Sequence, residues 1–193
     1  WADSLIKALE YSRHPFKSVL LFFENTYNEP SHNVKVAMLA VILGYKLNLT
    51  RQQLNDLAIA GILHDCGKVN LSEEVLTKST YLEVEETEMV EKHPLYSYEL
   101  AKQLGIHKVQ ILEAILYHHE KLDGTGYPHG LIGNAIPLFA QIIAVCDVFD
   151  ALTTDRTYRE HFHTYDALKL IKSDMSHQLN IKYVNSFIEL LQY

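Results

Sequence analysis

Apolar residues recur at three- and four-residue spacing through most of the chain. Val34, Met38 and Val41 give one example, and Ile111 and Ile115 give another. No stretch sustains the alternation of apolar and polar residues that is typical of a half-buried β-strand. The pattern therefore predicts an all-α fold in which each helix turns an apolar face towards a common core.

Capping and breaking residues divide this pattern into separate helices. Thr50 and Gln53 form a capping-box pair ahead of an apolar run that ends at His64 and Asp65. Gly44 is the expected stop of the preceding helix. One long loop is expected over residues 121–136, which are rich in Gly and Pro. The predicted helical segments are about 3–25, 31–44, 50–65, 72–78, 84–104 with an interruption at Pro94, 108–120, 137–155, 165–175 and 181–191.

Length and composition indicate one globular domain. The chain has 193 residues, of which 48% are apolar and 21% are charged, and both fractions are ordinary for a folded protein. No apolar run reaches the roughly 18 residues of a membrane helix, and the start lacks the regions of a signal peptide. We therefore expect a cytoplasmic domain that makes no membrane contact through this segment. Because the chain starts at Trp1 rather than Met, we expect residues 1–193 to be one domain of a longer regulatory protein.

The charge balance restricts the class of ligand. The chain has 17 Lys and Arg against 24 Asp and Glu, and the net charge of -7 argues against a surface that follows a polynucleotide. An acidic protein can still bind a small phosphate ester if metal ions reverse the charge locally. Cys66 and Cys146 lie within apolar helical segments, as reduced core thiols do. The unusual count is histidine, at 11.

Histidine and aspartate recur at the apolar faces and ends of five of the predicted helical segments. A lone His in such a place is more often a hydrogen-bonded core residue, so no single one decides the matter. Asp65 ends a buried helix and Asp147 interrupts an apolar run, where an unpaired carboxylate would be costly. Taken together, the histidines and aspartates on these five segments favour an internal metal site in a helical bundle. The candidate ligands are His32, His64, Asp65, His93, His118, His119 and Asp147.

This ligand set can supply two metals. One carboxylate would bridge them, and open positions would remain for water and a substrate oxygen. Imidazole and carboxylate together suit borderline metals such as Fe, Mn, Ni or Zn, whereas Mg or Ca would prefer a shell of oxygen atoms. The residues alone do not choose among these metals.

Two motifs resemble those of the HD-GYP phosphodiesterases. Residues 64–68, HDCGK, resemble the HD dyad motif, and residues 118–128, HHEKLDGTGYP, resemble the long signature of that family. The likeness extends over about 32–159, whereas residues 1–27 match only loosely. The resemblance implies an HD-type helical bundle with a non-haem iron or manganese centre. It also implies hydrolysis of cyclic di-GMP, a bacterial second messenger, to linear pGpG.

The resemblance assigns the candidate ligands to two metals that share Asp65. One metal would be held by His32, His64, Asp65 and Asp147, and the other by Asp65, His93, His118 and His119. Some family members use a Glu for a third metal at the position of Asn28. Here Glu29 is displaced from that position by one residue, so two metals are favoured and Glu29 keeps a third metal open.

The same resemblance implies a substrate side of the site. Lys68 would contact a substrate phosphate, and Arg156 and Arg159 match basic positions of the family pocket. By their sequence alone, the two arginines fit a solvated helix end better. Tyr127, in the loop Gly126–Tyr127–Pro128, would face the guanine bases or a regulatory partner protein. It could equally pack the loop against the bundle.

Asp65 and Lys68 are accordingly the expected catalytic residues. A hydroxide bridging the two metals would attack phosphorus, while Lys68 places a point charge on the phosphate. Alternatives from the residues are hydrolysis of cyclic GMP-AMP, hydrolysis of another nucleotide, and a cyclic dinucleotide receptor without turnover. Whether hydrolysis would continue from pGpG to GMP is also left open.

Overall fold

The computed structural model describes residues 2–11, 29–78, 80–154 and 162–191. Within these ranges the regular structure is helical, and an isolated bridge between Asp123 and Ile132 is the only β-type pairing. This confirms the all-α prediction. The part of the first predicted helix beyond residue 11 lies outside the described residues. None of the described helices has the length and apolar character that crossing a membrane requires.

The described α-helices follow one another along the chain, and the long loop expected over residues 121–136 lies between Tyr117 and Leu138. Two 3-10 helices, Cys66–Asn70 and Gly133–Ala135, lie between the α-helices. The α-helices are α1 (Ala2–Tyr11), α2 (Glu29–Lys46), α3 (Arg51–Leu63), α4 (Glu73–Thr77), α5 (Val84–Val90), α6 (His93–Gln103), α7 (Val109–Tyr117), α8 (Leu138–Thr153), α9 (Thr164–Ser173) and α10 (Ile181–Leu191).

The core lies between α2, α3, α7 and α8, which pack against one another. Val36, Leu57, Ile115 and Ile143 bring one fully buried aliphatic side chain from each of these helices. A closely packed interior of this kind holds its side chains in fixed positions. Polar residues that face the same interior are therefore held equally firmly.

Glycine allows α2 and α3 to approach closely. A Cβ atom on Gly61 would lie 2.6 Å from the Cα of Ala37, which is too near for any other residue. Gly44, the expected helix stop, instead lies inside α2, which continues to Lys46. That prediction was wrong because Gly44 serves packing against α3: a Cβ there would lie 3.0 Å from Leu54.

The predicted helix over 84–104 is two helices in the structure. The chain breaks between Val90 and His93, ahead of Pro94 rather than at it. Pro94 lies in the first turn of α6, where its missing N–H removes no helical hydrogen bond. The break places His93 at the first position of α6.

Candidate metal centre

Most of the seven candidate ligands lie at or near the ends of helices. His32 lies in the first turn of α2, His93 begins α6, and Asp147 lies within α8. His64 and Asp65 directly follow α3, and His118 and His119 directly follow α7, so the predicted extension of α7 to Glu120 was too long. Packing of these helices brings all seven side chains into one buried cluster.

The cluster consists of two groups of side chains whose ligand atoms lie within 4.8 Å of one another in each group. The two groups match the two ligand sets expected from the sequence except that Asp65, expected in both, is grouped only with the second set, and ligation by either group stays a prediction. The first group is His32, His64 and Asp147, and the second is Asp65, His93, His118 and His119.

Asp65 lies between the two groups and presents one carboxylate oxygen to each. Its Oδ1 is 3.0 Å from His93 Nε2 and 3.7 Å from His118 Nε2. Its Oδ2 is 3.5 Å from the Nε2 atoms of both His32 and His64. This is the placement that a carboxylate needs in order to bridge two metals.

Backbone carbonyls fix the orientation of three of the imidazoles. The Nδ1 atoms of His64, His93 and His118 each lie 2.7 Å from the carbonyl oxygen of the residue three positions earlier. A carbonyl oxygen only accepts, so each Nδ1 carries the proton and donates it. In the neutral rings the Nε2 lone pairs then face the cluster. Metal-binding histidines are commonly held in this way.

His32 is oriented by a carboxylate instead. Its Nδ1 donates to Asp150 Oδ2 at 2.7 Å, and its Nε2 lies 3.2 Å from Asp147 Oδ1. Burial lowers the pKa of His32, but hydrogen bonds to Asp147, Asp150 and Asp65 outweigh it and raise the pKa to about 12. Asp150 was not among the predicted site residues, although it lies one helical turn beyond Asp147 on the same apolar face.

The polar atoms inside the cluster need a cation. The Nε2 atoms of His93 and His118 face each other at 3.4 Å, and two lone pairs at that distance repel unless a proton or a metal lies between them. Among the described residues, His64 Nε2 and Asp65 Oδ1 are buried and have no hydrogen-bond partner. Unpaired buried polar atoms are costly, and imidazole and carboxylate are ligands for divalent metals. The cluster therefore fits a divalent metal site.

The protonation states of His64, His119 and Asp65 agree with metal binding, whereas His32, held as a cation by its carboxylate partners, would give up its Nε2 proton to a metal. Burial lowers the pKa of His64 to about 4 and, with His118 beside it, holds the pKa of His119 well below its usual value. Burial would raise the pKa of Asp65, but His64 and Lys68 hold it well below the usual value. Neutral imidazoles and ionised carboxylates are the forms that bind metals.

Lys68 is the basic residue nearest the cluster among the candidates that the structure describes. Its Nζ lies 2.5 Å from Asp65 Oδ2, and its side chain remains 21% exposed. The ammonium group can therefore reach both the Asp65 carboxylate and a ligand arriving from solvent. Arg156, Arg159 and Asn28 lie outside the described residues.

Tyr127 packs against the cluster. Its ring stacks on that of His119, with centroids 4.7 Å apart and planes inclined by 29°. Gly126 makes this placement possible, because a Cβ atom there would lie 2.4 Å from the backbone nitrogen of Lys121. The Tyr127–Pro128 peptide bond is cis. Tyr127 thus packs against the bundle while remaining partly exposed, and its contact with a substrate or a partner stays a prediction.

Glu120 holds the other side of this loop, a role that the sequence reasoning missed. The side chain is buried, with 3% exposure, and its carboxylate accepts hydrogen bonds from the backbone N–H groups of His129 and Leu131. Both bonds involve a charged acceptor and are stronger than neutral ones. A carboxylate directly after two candidate ligands was the available signal, but its partners depend on how the loop folds.

The helical bundle and its buried His and Asp side chains define a domain with an internal site for divalent metals. The chain belongs to the HD domain family, which matches residues 21–180. It is 34% identical over 172 residues to the cyclic di-GMP phosphodiesterase PA4108 of Pseudomonas aeruginosa, a match that covers 87% of this chain and 42% of that protein. It is 37% identical over 146 residues to 3'3'-cGAMP-specific phosphodiesterase 1 of Vibrio cholerae, covering 75% of this chain and 33% of that protein.

The chain thus spans less than half the length of these curated relatives. Among solved structures, it is similar to Bd1817, a HDG"Y"P protein from Bdellovibrio bacteriovorus, with a TM-score of 0.79 and 19% identity. That superposition covers 98% of this chain and 62% of the other chain. The likeness is one of fold, and it agrees with the HD-type bundle expected from the motifs.

Proposed function

We propose that the chain is a metal-dependent phosphodiesterase that hydrolyses a cyclic dinucleotide, with cyclic di-GMP as the preferred substrate and linear pGpG as the product. The observation that carries this proposal is the position of Asp65 between two groups of ligand atoms. Two metals that share a carboxylate suit the in-line displacement at a phosphodiester. The names of the relatives support the substrate class, since they specify cyclic di-GMP or 3'3'-cGAMP.

The proposed cofactor is a pair of divalent ions, iron or alternatively manganese. When bound, they would act as Lewis acids on the phosphate and activate water near neutral pH. The mixed imidazole and carboxylate ligand set supports these metals over Mg or Ca. Two ions are proposed because the described residues hold two groups of ligand atoms, and Glu29 leaves a third ion open.

The residues of the chain would hold the substrate and balance charge. Asp65 and Asp147 contribute negative charge, so that the centre keeps a net positive charge for a phosphodiester. Lys68, at the exposed edge beside Asp65, would donate to a nonbridging phosphate oxygen as charge develops there. Arg156 and Arg159 are proposed to line the same pocket.

Tyr127 is proposed to contact the substrate beside its stacked partner His119. A regulatory protein that binds the Gly126–Tyr127–Pro128 loop is a second proposed role for that loop. The cytoplasm remains the proposed location, and the two unpaired thiols Cys66 and Cys146 support it.

The test is hydrolysis under controlled metal loading. The protein is purified without oxygen, loaded with Fe(II) or Mn(II), incubated with cyclic di-GMP, and its products are separated by chromatography. We expect pGpG from the loaded protein and none from Asp65→Ala or His118→Ala. Lys68→Ala should keep its metals and lose most of the turnover. If the fully loaded protein, with either metal, binds cyclic di-GMP tightly but forms no product, the proposed phosphodiesterase activity is refuted. The chain would then be a cyclic dinucleotide receptor.

Cyclic GMP-AMP is the second candidate substrate. One of the reported relatives is named for 3'3'-cGAMP, and its identity to this chain, 37%, is as high as that of the cyclic di-GMP enzyme, 34%. The ratio of kcat/KM for the two dinucleotides decides between them. A ratio favouring cyclic GMP-AMP by tenfold or more would replace the preferred substrate while leaving the proposed chemistry intact.

A further inference from the structure

A cavity of about 460 Å³ opens directly beside the metal centre. Asp65 and Lys68 form the edge that the cavity shares with the centre. Ligand pockets are usually about 300–1,000 Å³, so this cavity has room for part of a dinucleotide. Its other walls come from residues that the proposed mechanism does not use, namely Asn33, Val34, Ile62, Cys66, Val69 and Leu76.

Apolar side chains surround the mouth of the cavity and remain exposed to solvent. Val69 is 77% exposed, Val34 is 43% exposed and Leu76 is 41% exposed. These residues come from three separate elements, α2, the 3-10 helix Cys66–Asn70 and α4, and come together around this opening. Exposed apolar side chains that gather around a concavity mark ligand sites. A flat aromatic group would cover them.

Asn33 brings a neutral amide to the same walls. It follows the candidate ligand His32 on α2. Its Oδ1 is shielded from water and accepts no hydrogen bond from any residue that the structure describes. Because the Asn33 side chain also lines the cavity, rotation of its amide about the last torsion brings this unmet acceptor to a donor arriving with the ligand, which would be stabilising. A nucleobase carries N–H donors on the edge opposite its sugar.

We propose that this cavity is the subsite for one base of the dinucleotide, with Asn33 on the base edge and Val34 and Val69 on its faces. The inference rests on the proposed function, since it needs a cyclic dinucleotide at the metal centre. The scissile phosphate would lie at Asp65 and Lys68. The base attached to the adjoining sugar then reaches the cavity, because the cavity begins at these same two residues.

The test blocks the cavity with a substitution and compares the hydrolysis of two substrates. Val69→Trp places a large ring at the mouth, and the exposure of Val69 lets the fold tolerate the change. Val109→Trp is the matched control, because Val109 is 60% exposed at the start of α7 and does not line the cavity. For each variant, kcat and KM are measured with cyclic di-GMP and with methyl p-nitrophenyl phosphate, a diester without a base.

Val69→Trp should lower the ratio of kcat/KM for cyclic di-GMP to that for the simple diester by about tenfold or more, mainly through KM. The control should leave the ratio unchanged. Asn33→Leu, which removes only the amide, should lower the same ratio by about threefold to tenfold. This variant replaces Val69→Trp in the test if the Trp variant does not fold. If Val69→Trp and Asn33→Leu both have a ratio within twofold of that of the parent protein, the proposed base subsite is wrong, although the proposed hydrolysis of cyclic di-GMP is unaffected. A parent protein that cleaves the simple diester but neither binds nor cleaves cyclic dinucleotides would overturn the proposed function, and the subsite with it.

Discussion

Replacing Asp150 by Asn should weaken metal binding without removing any candidate ligand. Asp150 is buried, with 4% exposure, and accepts the Nδ1 proton of His32 at 2.7 Å. A charge-assisted hydrogen bond of this kind is worth roughly 1.5–3 kcal/mol. The Asn oxygen can still accept the proton, so the ring keeps its orientation, but the negative charge that strengthens His32 as a ligand is lost. We expect metal affinity at the position served by His32 to fall about 10- to 100-fold.

The assay is a titration of the metal-free protein with Mn(II), with free ion followed by electron paramagnetic resonance. Two classes of binding position are expected in the parent protein, and only one of them should weaken in Asp150→Asn. Asp166→Asn is the matched control, because Asp166 is exposed on α9, away from the cluster. Unchanged affinity at both positions, in Asp150→Asn and also in Asp150→Ala, would refute the role given to this carboxylate.

Further predictions concern the parts of the fold that hold the cluster. Glu120→Gln should lower the free energy of unfolding by roughly 1.5–3 kcal/mol, because the amide NH2 group cannot replace the second carboxylate oxygen as an acceptor for the loop N–H groups. Urea denaturation measures this change. Glu99→Gln, at an exposed position, is the control and should change the free energy of unfolding by less than about 0.5 kcal/mol. Gly67→Ala should cost about 1–3 kcal/mol, since its Cβ would lie 2.3 Å from the backbone nitrogen of Ser97; a melting temperature equal to that of the parent protein would contradict this. Mn(II) at about 100 times its Kd should stabilise the protein by about 2.7 kcal/mol for each ion bound, and each ion should raise the melting temperature by roughly 5–10 °C. Calorimetry with and without a chelator tests this, and no shift would mean that the fold does not bind the ion.

The sequence identified the candidate ligands because each is chemically out of place. Asp147 interrupts an apolar helix, and His64 with Asp65 follows another, so their positions conflict with burial unless a cation is present. The capping box at Thr50 and Gln53 was likewise readable and is present in the structure. Such local signals need no knowledge of tertiary contacts.

Features that depend on packing were not readable in this way. Gly44 looks like a helix stop until α3 is placed against it, and Pro94 looks like an interruption until the break ahead of it is known. Glu120 and Asp150 are carboxylates whose partners lie 9 to 118 residues away along the chain. Their roles follow from contacts that only the folded loop and bundle create.

Anomalous scattering of manganese, in crystals of the Mn(II)-loaded protein, shows most directly whether two metals share the Asp65 carboxylate. We expect two peaks about 3.5–4 Å apart, as in other two-metal sites, on either side of the Asp65 carboxylate. One peak should lie among His32, His64 and Asp147, and the other among His93, His118 and His119. A single peak, or peaks away from Asp65, would contradict the shared-carboxylate centre.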